Sequence, residues 1–323
     1  MRWIFSAFFL LAYAENKYDE KLNEWTKKLE EAKIYGEEED KREGMEDEYY
    51  KSVWEEQLAP FAKGISEADL ETLEKLGNKY QIVNHTVYRK KRCIFQARCE
   101  GVDWMLKRVA PFLDDTQFYI NDFDAPKVYK RGNPPLPLFS FSKNDDYFDI
   151  MYPAWSFHKG GPAISTYPMG IGKWEETRDA IESYADSIPW AKREAKAFFL
   201  GSRTNTQRDE LVMLSREDPS IADAQFTKNQ AYKGPRDTLD AEPAKERPFE
   251  DCCQYKYPFN FRGIAASFRF KHLLACGSAV MHVDDGWKEF FYAKLIPFYH
   301  YVPVEDNTKR GIRKIVEFAR END

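Results

Sequence analysis

The stretch Phe259–His282, FNFRGIAASFRFKHLLACGSAVMH, decides the fold predicted for this chain. Its pattern predicts a strand, a turn at Gly263, a helix and a second strand, which is the repeating unit of an α/β protein. Free N–H groups at a helix start, with Arg262, Arg269 and Lys271 nearby, suit an anion such as a diphosphate. Because no glycine-rich phosphate fingerprint is present, a purely structural turn is the competing interpretation.

The composition predicts a folded chain without affinity for nucleic acid. Its 323 residues are enough for about two domains. Hydrophobic residues make up 43%, which permits a sizeable core. Asp and Glu (54) outnumber Lys and Arg (48), and the basic residues are mixed with acidic ones instead of clustered. Nucleic-acid binders concentrate basic charge, so this class is not expected.

The first residues predict a secretory signal peptide over 1–14. Arg2 precedes an apolar run, and Ala12-Tyr13-Ala14 fits a signal-peptidase site. The run is too short to span a membrane, and no later stretch is apolar enough to do so. Residues 15–58 read as a charged helical arm without a catalytic role, in which Leu22, Trp25, Leu29 and Ala32 recur at helical spacing. Asn84-His85-Thr86 is a glycosylation sequon, usable only at the surface.

The five cysteines fit an oxidising compartment. Cys93 and Cys99 are close enough in sequence for a small closed loop, and Cys276 could pair with Cys252 or Cys253. One cysteine is left over in either case. The histidines are scattered, so the sequence predicts no His/Cys metal site.

The rest of the chain alternates between helical and strand patterns, which predicts an α/β fold with largely parallel sheets. Predicted helices cover 69–76, with Ile65-Ser66 as the start signal, 101–111, 174–184, a segment opening near 207, and 310–320. Predicted strands cover 80–89 as a pair, 117–121, 137–142, 195–200, 222–226 and 295–304. Asp124, Ser202 and Gly263 each follow a predicted strand end, where ligands of such folds bind.

Four stretches together resemble one known family. They are RCIFQARCEGV (92–102), SFSKNDDYFDIMYPAWSF (140–157), FFLGSRTNTQRDELVMLSRE (198–217) and FNFRGIAASFRFKHLLACGS (259–278). In order and spacing they resemble the Rumi-like protein O-glucosyltransferases of glycosyltransferase family 90, from about residue 58 to residue 318. The resemblance implies a GT-B fold, in which two Rossmann-like domains face each other across a cleft. Here these would be an acceptor-side domain at 59–190 and a UDP-sugar-binding domain at 191–323.

The resemblance also implies an activity. Such enzymes transfer glucose from UDP-glucose, and in some cases xylose from UDP-xylose, to a serine of folded EGF-like repeats. They invert the anomeric centre, need no metal or other cofactor, act in the endoplasmic reticulum lumen and are monomers.

Roles for individual residues follow from the same resemblance. Asp124, in INDFDAP, occupies the position of the catalytic base, a task that a carboxylate near a serine hydroxyl can perform. Asp122 is the competing acid, and an ordinary turn residue is the alternative for Asp124. Arg208 and Arg269 would stabilise the charge on the departing diphosphate. The donor-binding set would comprise Tyr167, Ser202, Arg208, Ile264, Ala265, Ala266, Ser267, Phe268 and Arg269.

The acceptor side is implied in the same way. Its residues would be Ile94, Phe95, Gln96, Ala97, Arg98, Ala163, Ile164, Ser165, Thr166, Tyr167 and Pro168. The family pattern also implies disulfides Cys93–Cys99 and Cys253–Cys276, which leaves Cys252 as the odd thiol.

The chain departs from the family pattern at several positions. Leu200 stands where an arginine is usual, Phe123 where a basic residue is usual, and His158 where a tryptophan is usual. The family's N-terminal cysteine cluster is replaced by the charged arm. Closing helices and a C-terminal retention tetrapeptide would be expected beyond Asp323. Two rival functions follow: a protein that binds EGF-like domains without transferring sugar, and a transferase with a glycan acceptor.

Overall fold

The computed structural model of the chain describes residues 23–34, 46–91, 93, 95–161, 171–228 and 232–323. The predicted signal peptide at 1–14 lies outside these ranges. The strands form two five-stranded sheets, and helices alternate with them, so the fold is mixed α/β as predicted. No helix among the described residues is both long and apolar enough to cross a bilayer.

The first sheet has the order β2-β1-β3-β4-β5. Its strands are β1 (Asn78–Val83), β2 (Thr86–Arg89), β3 (Thr116–Ile120), β4 (Leu138–Ser140) and β5 (Ile150–Met151). Strands β3, β4 and β5 are parallel, whereas β1 pairs antiparallel with both β2 and β3. The prediction of largely parallel sheets therefore holds for β3, β4 and β5, whereas β1 and β2 are antiparallel because a tight turn can join only antiparallel neighbours.

That tight turn consists of Asn84 and His85, both at positive φ (47° and 59°). Two consecutive left-handed residues match the right-handed twist of the flanking strands. Asn84, His85 and Thr86 are all exposed, so the predicted glycosylation sequon lies at the surface.

The second sheet has the order β10-β9-β8-β6-β7, and all its pairings are parallel. Its strands are β6 (Glu194–Gly201), β7 (Ala222–Phe226), β8 (Tyr255–Asn260), β9 (Met281–His282) and β10 (Val302–Pro303). Every residue of β8 is buried, as expected for a central strand covered on both faces. Of the strand predicted over 295–304, only β10 is present in the structure. Phe298 adopts a positive φ of 66°, which interrupts the extended backbone before it.

The helices lie between and around these strands. They are α1 (23–34), α2 (Glu46–Leu58), α3 (Glu67–Leu76), α4 (Gln96–Val109), α5 (Trp174–Asp186), α6 (Asp209–Glu217), α7 (Phe270–Leu274) and α8 (Lys309–Glu321). The predicted start near Ser66 is confirmed, since Ser66 and Asp69 form a reciprocal capping box. Helix α4 begins earlier than predicted, at Gln96, so Cys99 lies inside it.

Helix α1 packs on the second sheet although its sequence is dominated by charge. Trp25 is buried in the core of that sheet, with its ring 6.1 Å from Phe298 and 6.1 Å from Phe318 of α8. The helical spacing of apolar residues therefore marks a docked face, and the first part of the predicted arm belongs to the folded unit.

The segment after β8 differs most from its prediction. The helix expected directly after Gly263 begins only at Phe270 and covers five residues. Residues 261–269 form an irregular loop, which we call the 261–269 loop. A helix N-terminus pointing from Gly263 at a diphosphate is thus absent from this loop, and any anion site must rest on side chains and single N–H groups.

Both disulfides implied by the resemblance are present, Cys93–Cys99 and Cys253–Cys276. The Cys252 thiol is free and partly buried beside the second of them.

Candidate active site

The turn that carries Asp124 is fixed from inside by Asn121. Asn121 is fully buried at the end of β3, and its Nδ2 donates to Ala125 O (2.8 Å) and to Ser140 Oγ (3.0 Å). Its Oδ1 accepts from Phe123 N at 3.2 Å. These bonds fold the INDFDAP turn around the amide, so residues 122–124 lie on its outer side.

Arg98 of α4 holds the Asp124 carboxylate. Its Nη2 donates to Asp124 Oδ1 at 2.8 Å, and its Nη1 donates to the backbone oxygen of Asp122 at 2.7 Å. Asp124 Oδ2 has no hydrogen bond to any described residue, and the side chain is 44% exposed. One carboxylate oxygen is therefore oriented by a charge-assisted bond while the other faces solvent.

Asp122, the competing acid, has a different environment. Its Oδ2 lies 3.8 Å from Cys93 Sγ, at the disulfide that closes the small loop. Cys93, Cys99 and Asp122 bring three potential metal-ligand atoms together, but both sulfurs are in the disulfide and offer no thiolate.

Aromatic rings enclose the Arg98 guanidinium. Its central carbon lies 4.4 Å from the ring centroid of Phe95 and 4.5 Å from that of Trp155. The edge of Phe123 meets Phe95 with centroids 6.1 Å apart, and both rings are about 40% exposed. Two exposed aromatic rings thus border the carboxylate. Phe123, where the family resemblance implies a basic residue, forms part of this border.

Arg269 is the candidate diphosphate ligand in the C-terminal part of the site. Its guanidinium lies against Gly201 at the end of β6, where an added Cβ would be 2.5 Å from Nη2. Only glycine leaves this space. The guanidinium forms no ion pair or hydrogen bond with any described residue, and burial lowers the pKa of Arg269. A partly buried cation with no acidic partner among the described residues favours an anionic ligand.

Arg208 lies close to Arg269 and is almost fully buried. Its Nη1 donates to Ser202 O and its Nη2 donates to Arg262 O, both at 2.5 Å. Burial lowers the pKa of Arg208 well below its usual range, and the charges of Arg269 and Arg262 lower it further. Its Nε is buried without a partner among the described residues. Arg208 therefore stabilises the turn after β6 and adds positive charge behind Arg269.

Side chains from outside the loop hold the 261–269 loop. Asn205 Nδ2 donates to Arg262 O (2.7 Å) and to Gly263 O (3.1 Å). These carbonyls are satisfied by side chains instead of by helical N–H groups, which explains why no helix starts at Gly263. Arg262 itself pairs with Asp285, with Nε and Oδ2 2.5 Å apart, so its charge is compensated.

The loop contacts the N-terminal part of the site at two places. Ala266 N donates to Ser142 Oγ, just beyond β4, at 3.1 Å. An added Cβ at Gly161 would be 3.6 Å from the Phe268 ring, so these residues are neighbours, and Gly160 similarly adjoins Ala97 of α4. Ala265 and Ser267 are buried, whereas Ile264 is exposed. Donor and acceptor candidates therefore share one junction.

Some predicted residues cannot be placed. Ile94 and residues 163–168, which include Tyr167, lie outside the described residues. Conversely, the sequence interpretation missed Asn205, Trp155 and Ser142. For Asn205 a local signal existed, because asparagine is a favoured helix cap and its Oδ1 accepts from Gln207 N at the start of the short helix before α6.

Residues 43–323 match the family model of glycosyl transferase family 90. The chain is similar to an O-glucosyltransferase rumi homolog of Aedes aegypti, at 54% identity over 268 residues, which cover 82% of this chain and 67% of that protein. It is similar to Protein O-glucosyltransferase 1 of Bos taurus, at 47% identity over 277 residues (85% and 70%). O-glucosyltransferase rumi of Drosophila melanogaster is 46% identical over 276 residues (84% and 67%).

The fold is mixed α/β, with a carboxylate on one side of a junction and, on the other, two arginines that have no acidic partner in the described part of the chain. Sugar-transferring enzymes can use such an arrangement. The chain belongs to glycosyltransferase family 90.

Proposed function

We propose that this chain transfers glucose from UDP-glucose to a serine hydroxyl of a folded EGF-like repeat. The observation that carries the proposal is the Asp124 carboxylate. Arg98 holds one of its oxygens, and the other has no hydrogen bond within the described ranges and lies beside an exposed aromatic border. The names of the relatives, as protein O-glucosyltransferases, support a glucose donor and a protein acceptor.

In the proposed reaction Asp124 Oδ2 takes the proton of the serine hydroxyl. The serine oxygen attacks the anomeric carbon and forms the new C–O bond, while the bond from that carbon to the β-phosphate oxygen breaks. Attack from the face opposite the leaving group inverts the configuration. The departing UDP gains negative charge, which Arg269 and Arg208 stabilise. In this proposal fixed guanidinium charges take the part that a metal plays elsewhere.

The architecture proposed for this reaction is GT-B. The first sheet would form the core of an acceptor-side domain at 59–190, and the second that of a UDP-sugar-binding domain at 191–323. The contact between Ala266 and Ser142 supports a cleft at their junction. The proposed setting is a monomer in the endoplasmic reticulum lumen, where disulfides such as Cys93–Cys99 and Cys253–Cys276 persist.

A transfer assay tests the proposal. The purified chain is incubated with UDP-glucose and one disulfide-bonded EGF-like repeat, and the repeat is measured by mass spectrometry for the addition of one hexose. UDP-xylose replaces UDP-glucose in a parallel reaction, and a repeat with alanine at the acceptor serine is the control. Hexose addition that needs the serine supports the proposal.

Other outcomes would favour the rival functions. Binding of the repeat without sugar transfer would favour a protein that only recognises EGF-like domains. Transfer to an oligosaccharide but not to the repeat would favour a glycan acceptor. Either result contradicts the proposed reaction.

A further inference from the structure

Lys271 has a different position from the one expected of a diphosphate ligand. It lies in α7, shortly after Arg269, and its side chain is turned away from solvent, with 5% of the residue exposed. Nζ donates to Ser156 Oγ over 2.6 Å, and both groups are buried. Ser156 belongs to the short 3-10 helix Trp155–Phe157 of the N-terminal part. The bond therefore joins segments that are far apart in sequence.

The ammonium group is held in one place by its surroundings. Nζ lies 4.0 Å from the ring centroid of Phe157 and 5.3 Å from that of Trp174. Glu289, itself buried, is the acidic group whose charge acts on Lys271. Burying an ammonium is costly unless partners replace its water. A lysine in such a site has little freedom to move. Its hydrogen bond therefore fixes the position of Ser156 relative to α7.

Both ends of this hydrogen bond are close to the catalytic candidates. On one side Trp155, adjacent to Ser156, lies under the Arg98 guanidinium at 4.5 Å, and Arg98 holds Asp124. On the other side the backbone of α7 continues directly from Arg269. A short series of rigid contacts therefore connects the proposed base with the proposed diphosphate ligand.

We propose that Lys271 is a positioning residue that, through Ser156, sets the distance between the Asp124 carboxylate and the donor held by Arg269. This inference rests on the proposed transfer reaction and deepens it. Lys271 touches neither substrate in this scheme. Its role is to keep the base and the donor at the reactive distance, because transfer rates fall steeply when reacting groups are displaced by about 1 Å.

The test compares three single variants with the wild type in the transfer assay. Ser156→Ala removes the acceptor of the bond and changes little volume. Lys271→Met keeps a long side chain but removes the donor. Lys256→Met is the matched control. Lys256 lies on β8 and is about as buried as Lys271, and its ammonium group lies over the Trp190 ring and pairs with Asp323, away from the junction. Turnover, UDP affinity by calorimetry and thermal unfolding are measured for each.

The positioning role predicts a split between turnover and donor binding. In Lys271→Met we expect kcat to fall about tenfold or more while UDP affinity changes less than about twofold. Ser156→Ala should lower kcat in the same sense. The double variant should be little worse than Lys271→Met, because both changes break one bond. Lys256→Met should lower the unfolding temperature without changing kcat.

Two results would overturn the inference and are distinguishable from failure of the proposed function. If the wild type is active and kcat is unchanged in both Ser156→Ala and Lys271→Met, the positioning role is contradicted but the proposed function is not. The same holds if UDP affinity falls in proportion to kcat. A wild type without transfer activity contradicts the proposed function and the inference together. If Lys271→Met does not fold, Ser156→Ala decides the question.

Discussion

Arg98 and Asp124 are joined by one charge-assisted hydrogen bond, from Arg98 Nη2 to Asp124 Oδ1 over 2.8 Å. The bond orients the carboxylate without using both its oxygens, and the rings of Phe95 and Trp155 hold the guanidinium in place. A base prepared in this way does not need to reorganise before it accepts a proton. The pair is therefore the most direct place to test the mechanism.

Removing the base should abolish most transfer. We expect Asp124→Asn to lower kcat by roughly 10²–10⁴-fold, the range for loss of general-base catalysis, while UDP affinity stays near that of the wild type. Arg98→Met, which keeps an apolar chain between the two rings, should cost less, and the double variant should resemble Asp124→Asn. Turnover near the wild-type rate in Asp124→Asn would show that another group is the base. Asp122→Asn is the matched control for that alternative.

Filling the space at Gly201 should displace the guanidinium of Arg269. Gly201→Ala places a Cβ 2.5 Å from Nη2, closer than atoms can approach. Because a hydrogen bond to a charged group contributes about 1.5–3 kcal/mol, UDP should bind roughly tenfold or more weakly. Titration calorimetry with UDP measures this directly. Gly234→Ala, where an added Cβ meets nothing within 4 Å, is the control. Equal UDP affinity in both variants would remove Arg269 from the donor site.

The disulfide between Cys253 and Cys276 should contribute more to the free energy of unfolding than the neighbouring Cys252 thiol does. It closes a loop with a sequence separation of 23 residues. Loop entropy predicts that Cys253→Ser loses about 3 kcal/mol of the free energy of unfolding. Cys252→Ala removes an adjacent cysteine but leaves the crosslink, so it should lose much less. Denaturant unfolding of both variants tests the pairing, and a larger loss in Cys252→Ala would contradict it.

The buried His272 should make the protein less stable in acid. Burial, with smaller effects from Lys271 and Arg269, lowers the pKa of His272 from 6.5 to about 3. Below pH 6.5 the unfolded chain binds a proton that the folded chain excludes, so stability falls as pH decreases and is unaffected at higher pH. From pH 6.5 to about pH 5 this one group should remove roughly 2 kcal/mol.

His272→Phe tests that dependence. Phenylalanine cannot titrate and can keep the stacking of the ring on Phe249, whose centroid is 5.0 Å away. We expect the variant to lose a little stability near neutral pH, because the bond to Phe268 O is absent. It should lose stability less steeply than the wild type on acidification. Parallel slopes in denaturant melts across this pH range would show that His272 is not the responsible group.

Local sequence patterns predicted much of the scaffold. The strand at 222–226 and the capping of α3 by Ser66 agree with the structure, because alternation and capping depend on neighbouring residues alone. The family resemblance added what no local pattern could, namely the pairing of Cys253 with Cys276, which the structure contains, and the role proposed for Asp124.

Only the tertiary structure decided which partners meet. It paired Arg98 with Asp124, placed the Arg269 guanidinium against Gly201, and turned Lys271 toward Ser156. It also replaced the helix expected after Gly263 by a loop. The physical reason is the same in each case. Hydrogen bonds and charges between residues far apart in the chain outweigh the small free-energy preferences that a local sequence pattern records.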